Sequence, residues 1–218
     1  MILRPENRIR REEYVAAGSL HTAREPAMKA IAVTILLSVI CFASSGAGAF
    51  SHGEPPILRN ARNQFVILRP LKPAPTTIIL AEGGETLELR RFRGRIILLN
   101  FWATWCAPCV RELPALDRLR VLLGNEDLEI VALSVDDSDI EKPVSFVREL
   151  GLTNLPVYLD YEEFAVKRFP LYGLPITYLI DRDGLVVGYI VGAVEWDSPA
   201  AVDFLNYYIQ YTKPAPSG

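Results

Sequence analysis

Cys106 and Cys109 stand three positions apart, with Ala107 and Pro108 between them. Two thiols at that spacing on a helix can close into a disulfide and reopen, and so can accept or deliver two electrons. The flanking residues place the pair. Ile96-Ile97-Leu98-Leu99-Asn100-Phe101 is short, rich in branched side chains, and reads as a buried strand. Beyond the pair, Leu113, Leu116, Leu119 and Leu123 recur at three- and four-residue steps. That spacing predicts a helix with one apolar stripe and a stop at Gly124. Cys106 then falls at the helix entrance, where free N–H groups and the macrodipole favour the attacking thiolate. Cys109 falls one turn in, covered, where it can resolve a mixed disulfide. Pro108 suits the first turn, and Trp105 supplies an apolar wall beside the reactive sulfur.

Other uses of the pair fit less well. A zinc site wants four ligands, and the remaining Cys41, His21 and His52 all lie far upstream. A purely structural disulfide across three residues closes almost no loop and stabilises little. The sequence therefore predicts a redox dithiol with no metal and no cofactor. A net charge of −3 and a pI near 5.5 give no reason to expect nucleic-acid binding.

The rest of the chain must carry and deliver this site. Residues 1–27 are polar and basic-leaning. Met28-Lys29 opens an apolar run from Ala30 to Phe42 that ends in small residues up to Ala49. This pattern describes a secretory signal cleaved after Ala49, with residues 1–27 a misassigned start or a dispensable extension. An uncleaved anchor is the alternative, because the run can be stretched to about twenty residues. Either way the dithiol lies outside the cytoplasm, where disulfides persist. Residues 50–73 hold four prolines and scattered charge and read as a linker. Thr76–Leu80 and Thr86–Leu89 flank Glu82-Gly83-Gly84-Glu85, a hairpin signal.

After Gly124 come a second buried strand over 129–135, a polar turn over 136–139 and a helical stripe of Ile140, Val144, Val147 and Leu150. A short strand over 157–159 and a short helix over 162–169 follow, the helix stopped by Pro170. Strands over 176–180 and 185–191 enclose a tight turn at 181–184. A last helix is capped by Asp197 or Ser198, and the tail from 213 is loose. This order gives an α/β sandwich, a mixed sheet with helices on both faces.

Asn100-Phe101-Trp102-Ala103-Thr104-Trp105-Cys106-Ala107-Pro108-Cys109, with Glu112, Pro114, Ser134-Val135-Asp136, Gly173-Leu174-Pro175-Ile176-Thr177 and Leu179-Ile180-Asp181-Arg182-Asp183-Gly184, resembles the TlpA/ResA/DsbE-type thioredoxin-like proteins over residues 74–212. The resemblance implies a thioredoxin-like three-layer sandwich with an N-terminal β-hairpin and a central strand–helix insertion. It implies a cis Pro175 beside the dithiol, with the Leu174 backbone pairing with the substrate chain. It also assigns Glu112 as the active-site glutamate. Thioredoxins proper carry a buried Asp where this chain has Asn100, which cannot titrate, so proton handling passes to Glu112.

The implied activity is that of an exported thiol–disulfide oxidoreductase that reduces protein disulfides, with apocytochrome c or a copper-site assembly protein as substrate. A membrane electron donor restores its dithiol. A thiol peroxidase and a thioredoxin-fold copper-assembly chaperone are the alternatives. The first uses a distant resolving cysteine, and the second spaces its cysteines four apart and adds a histidine.

Overall fold

The computed structural model of the chain describes residues 53–124, 127–137 and 139–211. The predicted signal or anchor segment, Cys41 and the tail from residue 213 lie outside the described residues. Eight strands, β1 (Val66–Pro73), β2 (Ile78–Ala81), β3 (Thr86–Glu88), β4 (Ile96–Trp102), β5 (Leu128–Ser134), β6 (Val157–Asp160), β7 (Ile176–Ile180) and β8 (Leu185–Val191), form one sheet among the described residues. Their order across it is β1-β8-β7-β4-β5-β6-β2-β3. Among the described residues three α-helices accompany it: α1 (Ala107–Leu123), α2 (Glu141–Glu149) and α3 (Pro199–Tyr211).

The sheet is mixed. β4 runs parallel to β5 and antiparallel to β7. Every residue of β4 and β5 is buried, as expected for central strands covered on both faces. Alternation divides their side chains. Ile96, Leu98 and Trp102 join one apolar cluster with Leu113, Leu116 and Leu119 of α1 and with Phe204 and Leu205 of α3. Ile97, Leu99 and Phe101 join a second cluster on the opposite face, with Val131, Phe169 and Tyr178. Asn100 has the parity of Leu98 and Trp102, so it faces α1 from the middle of the sheet.

The predicted sandwich holds, with one difference in its outer layer. The buried side chains that all three helices contribute to an apolar cluster, such as Leu116, Val147 and Phe204, belong to the first one. The second face is covered partly by the segment after β6, expected to be a helix over 162–169. It is a 3-10 turn at Tyr161–Glu163 followed by further turns. Asp160 explains this, since its carboxylate accepts from the N–H groups of Ala165 and Val166 at 2.7 and 2.9 Å, in competition with helical pairing. Glu162 and Glu163 take left-handed φ values of 49° and 59°.

The stretch read as a linker is a second departure. Leu58 and Phe65 are buried, and the Phe65 ring meets Phe204 of α3 at 4.8 Å. β1 then pairs antiparallel with β8 as an edge strand. The prolines that suggested a linker are tolerated because an edge strand need not donate on its outer side, and Pro70 falls where the register shifts. The sheet thus takes in residues upstream of the expected start at 74. The predicted hairpin forms as β2 and β3, and α1 ends at Gly124 as expected.

Close approach of β1 makes Gly188 obligatory. A Cβ on it would run into the Val66 carbonyl oxygen and the Phe65 ring. Gly188→Ala should cost about 2 kcal/mol or more by urea denaturation, and β1 amides should lose protection from hydrogen exchange.

Candidate active site

β4 ends at Trp102, and three residues carry the chain to Cys106 at the entrance of α1. That short loop is pinned from β5. Asp136 accepts from the Thr104 N–H at 2.9 Å, the Thr104 hydroxyl at 2.6 Å and the Ser134 hydroxyl at 2.7 Å, and Lys142 lies 3.2 Å away. Burial works against the Asp136 charge, but these donors outweigh it and hold its carboxyl below the ordinary value.

Cys106 is the N-cap residue of α1, and its sulfur accepts from the Cys109 N–H at 3.3 Å. The two sulfurs are joined in a disulfide, with Cα atoms 5.3 Å apart. Cys106 keeps 6% of its surface exposed and Cys109 none, the asymmetry that the sequence predicted. Trp105 is 69% exposed beside Cys106, so it is a projecting apolar surface more than an enclosing wall. It borders a groove lined also by Thr104, Lys142 and Phe146.

β7 brings the proline loop to the same end of the sheet, because Ile176 pairs with Phe101 at the end of β4. The Leu174–Pro175 bond is cis, as the resemblance implied. Pro175 is buried and accepts from Gly192 N–H at 2.7 Å, while Leu174 is half-buried against both apolar clusters. Tyr172 stands exposed just before this loop, its ring 5.3 Å from that of Tyr189.

Glu112 is the least ordinary residue of the site. It sits one turn beyond Cys109 on the buried side of α1, only 2% exposed. Its Oε1 accepts from the Val194 N–H at 2.9 Å and the Trp196 indole N–H at 2.7 Å. Its Oε2 accepts from Asn100 Nδ2 at 3.0 Å, and the same amide donates to the Thr177 hydroxyl at 2.8 Å. Burial pushes the Glu112 carboxyl from its ordinary 4.5 up to about 7, although the bonds from Val194, Asn100 and Trp196 favour the charged form. A group that titrates there can take and return a proton under physiological conditions.

Sequence spacing pointed to Cys106 and Cys109, and the resemblance pointed to Leu174, Pro175 and Glu112. The hydrogen-bonding roles of Val194, Trp196, Thr177 and Asp136 were missed. The one available signal was Trp196 itself, an apolar ring set between Glu195 and Asp197.

A strand, a Cys-Ala-Pro-Cys turn capping a helix, and a cis proline leading into the adjacent strand together define a thioredoxin-fold dithiol protein. Comparison with known proteins agrees. The chain belongs to the AhpC/TSA family, whose model matches residues 70–189, and it is a thiol–disulfide oxidoreductase of the ResA type. It is 36% identical over 121 residues to thiol-disulfide oxidoreductase ResA of Bacillus thuringiensis (strain Al Hakam), a match covering 56% of this chain and 69% of that one. Two solved structures share the fold. The thiol:disulfide interchange protein of Chlorobium tepidum TLS superposes with a TM-score of 0.53 at 22% identity, covering 66% of this chain and 98% of that one. The exposed lipoprotein thioredoxin Etrx1 of Streptococcus pneumoniae strain TIGR4 gives 0.52 at 23% identity, covering 60% and 98%.

The Glu112 shift is also a statement about stability. Between pH 4.5 and about 7 the folded chain holds a proton on Glu112 that the unfolded chain has released. Stability from this group is therefore complete below pH 4.5 and is lost as pH rises through 7. Compared with Glu112→Gln, the parent chain should lose roughly 3 kcal/mol of unfolding free energy between pH 4.5 and 8, read by urea denaturation at each pH.

Proposed function

We propose that the chain is exported and acts outside the cytoplasm as a disulfide reductase, with Cys106 as nucleophile, Cys109 as resolving thiol and Glu112 as proton acceptor. The observation that supports this most directly is the contrast between the two sulfurs. One caps a helix with 6% of its surface exposed, and the other is wholly buried one turn from a carboxyl that titrates near neutrality.

The cycle starts from the dithiol. The Cys106 thiolate, favoured by the Cys109 N–H and the helix dipole, attacks one sulfur of a substrate disulfide. A Cys106–substrate disulfide forms, and the other substrate sulfur leaves as a thiolate. Glu112 then takes the Cys109 proton, and the Cys109 sulfur attacks Cys106. The substrate's second thiolate leaves, and two electrons have passed from the dithiol to the substrate. Leu174, next to the cis Pro175, offers its backbone to the substrate chain, and Trp105 gives an apolar contact beside the exchanging sulfur. A membrane electron donor returns the dithiol to its reduced state.

The resemblance to the TlpA/ResA/DsbE type supports apocytochrome c or a copper-site assembly protein as substrate. The apolar run before Ala49 supports export by a cleaved signal, with a membrane anchor as the alternative. A thiol peroxidase is less well supported, because Cys109 already meets Cys106 within one helical turn.

Cys109→Ser expressed in the native host should accumulate mixed disulfides on Cys106, visible on non-reducing gels and identified by mass spectrometry. A dominant adduct with a haem-binding apocytochrome or a copper-assembly protein is the expected result. An exported, folded variant that yields no adduct would rule out Cys106 as the exchanging nucleophile.

A further inference from the structure

The two oxygens of Glu112 are held differently. Oε1 faces the Val194 backbone N–H and the Trp196 indole N–H, both within 2.9 Å. Each of these groups donates only and has no lone pair to receive a proton. Oε2 faces one side chain, Asn100, whose amide can present either an N–H or a carbonyl oxygen. Trp196 is wholly buried in the β8–α3 connection, so its N–H cannot turn to water when Glu112 changes charge.

We propose that Trp196 is a positioning residue of the dithiol reaction: by occupying Oε1 it confines the exchangeable proton of Glu112 to Oε2, on the Asn100 side. This rests on Glu112 as the proton acceptor. When Oε2 carries the proton it becomes a donor, and the N–H that Asn100 now offers no longer suits it. Asn100 Oδ1 is buried and has no partner among the described residues. Turning the amide over brings that oxygen to the Oε2 proton and to the Thr177 hydroxyl, which can donate as well as accept. Asparagine at this position thus matches both charge states of Glu112, whereas an aspartate would place a second carboxylate against the first.

Among the described residues, four charged side chains line the same pocket as Glu112, two on α1 and two on the β8–α3 connection. On α1 these are Arg111 and Arg118. On the β8–α3 connection they are Glu195 and Asp197, and Arg118 and Asp197 pair with each other at 2.6 Å. β4 and β7 contribute Asn100 and Thr177, neither of which titrates.

Trp196→Phe removes the N–H and keeps an aromatic ring. The reduced full chain, mixed with one equivalent of dithiobis-nitrobenzoate, releases one coloured thiolate when Cys106 attacks. It releases a second when Cys109 closes the disulfide. The rate of the second release against pH reads the proton acceptor. In the parent chain it should rise with a midpoint near 7, and in Glu112→Gln that rise should vanish. In Trp196→Phe the midpoint should move up by about one pH unit, because a donor that favours the carboxylate is gone. Adding Trp196→Phe to Glu112→Gln should change the profile no further.

A Trp196→Phe profile that overlays the parent's, with Glu112→Gln having lost its rise, would overturn the role of Trp196 alone. A rise that survives in Glu112→Gln would overturn the Glu112 assignment on which it rests. Should Trp196→Phe fail to fold, the chain can be labelled with benzothienyl-alanine, which has the shape of tryptophan without the N–H. Trp102 Nε1 has no partner among the described residues and Trp105 is exposed, so the label bears chiefly on the Trp196 bond. The same upward shift is expected, and its absence counts against the proposal in the same way.

Discussion

A carboxyl group buried to within 2% of complete exclusion from water must be neutral, or it must find donors to replace the water it lost. Glu112 lies between these states. Three donors reach it, enough to make the charge tolerable, yet burial still lifts its titration to about 7. Much of the molecule serves to create that balance. α1 fixes Glu112 one turn from Cys109, β4 supplies Asn100 at the centre of the sheet, β7 supplies Thr177 opposite it, and the β8–α3 connection returns with Val194 and Trp196. Strands that pair only after long loops have closed therefore meet at one carboxyl.

The same arrangement explains why the two cysteines differ although they are covalently linked neighbours. Cys106 caps the helix and accepts from the Cys109 N–H, so a thiolate formed there on reduction would meet an N–H and the helix dipole. Cys109 faces the apolar cluster of Leu113 and Leu116 with none of its surface in water. A thiolate is disfavoured at so buried a position, which is why the proposed cycle hands the proton to an acceptor inside the protein. Asp136 does quieter work. It ties Thr104 to the end of β5 and so holds the approach to the helix at a fixed height above the sheet.

The sequence revealed the parts of this arrangement that are local. β4 is visible in its branched residues, α1 in its leucine spacing, and the reactive pair in its two-residue gap. Each depends on neighbours in the chain. Pro175 and Glu112 were reached through resemblance, because nothing within a few residues of either marks it as part of the site. Trp196 went unread because its partner lies 84 positions away. β1 was mistaken for linker for a related reason. Its prolines and exposed side chains deny the usual strand pattern, and only pairing with β8 makes it one. The helix expected after β6 failed because Asp160 captures two N–H groups, a local competition that apolar spacing does not reveal.

The most direct measurement is a carbon-13 NMR titration of the Glu112 carboxyl in the full chain, oxidised and reduced, assigned by its absence in Glu112→Gln. A midpoint near 7 is expected in the disulfide form, and a different midpoint once Cys109 is a free thiol, because the two groups share a turn of helix. A midpoint between 4 and 5 in both forms would mean that Glu112 stays ionised throughout, and the buried carboxyl would then not be the proton acceptor of the dithiol.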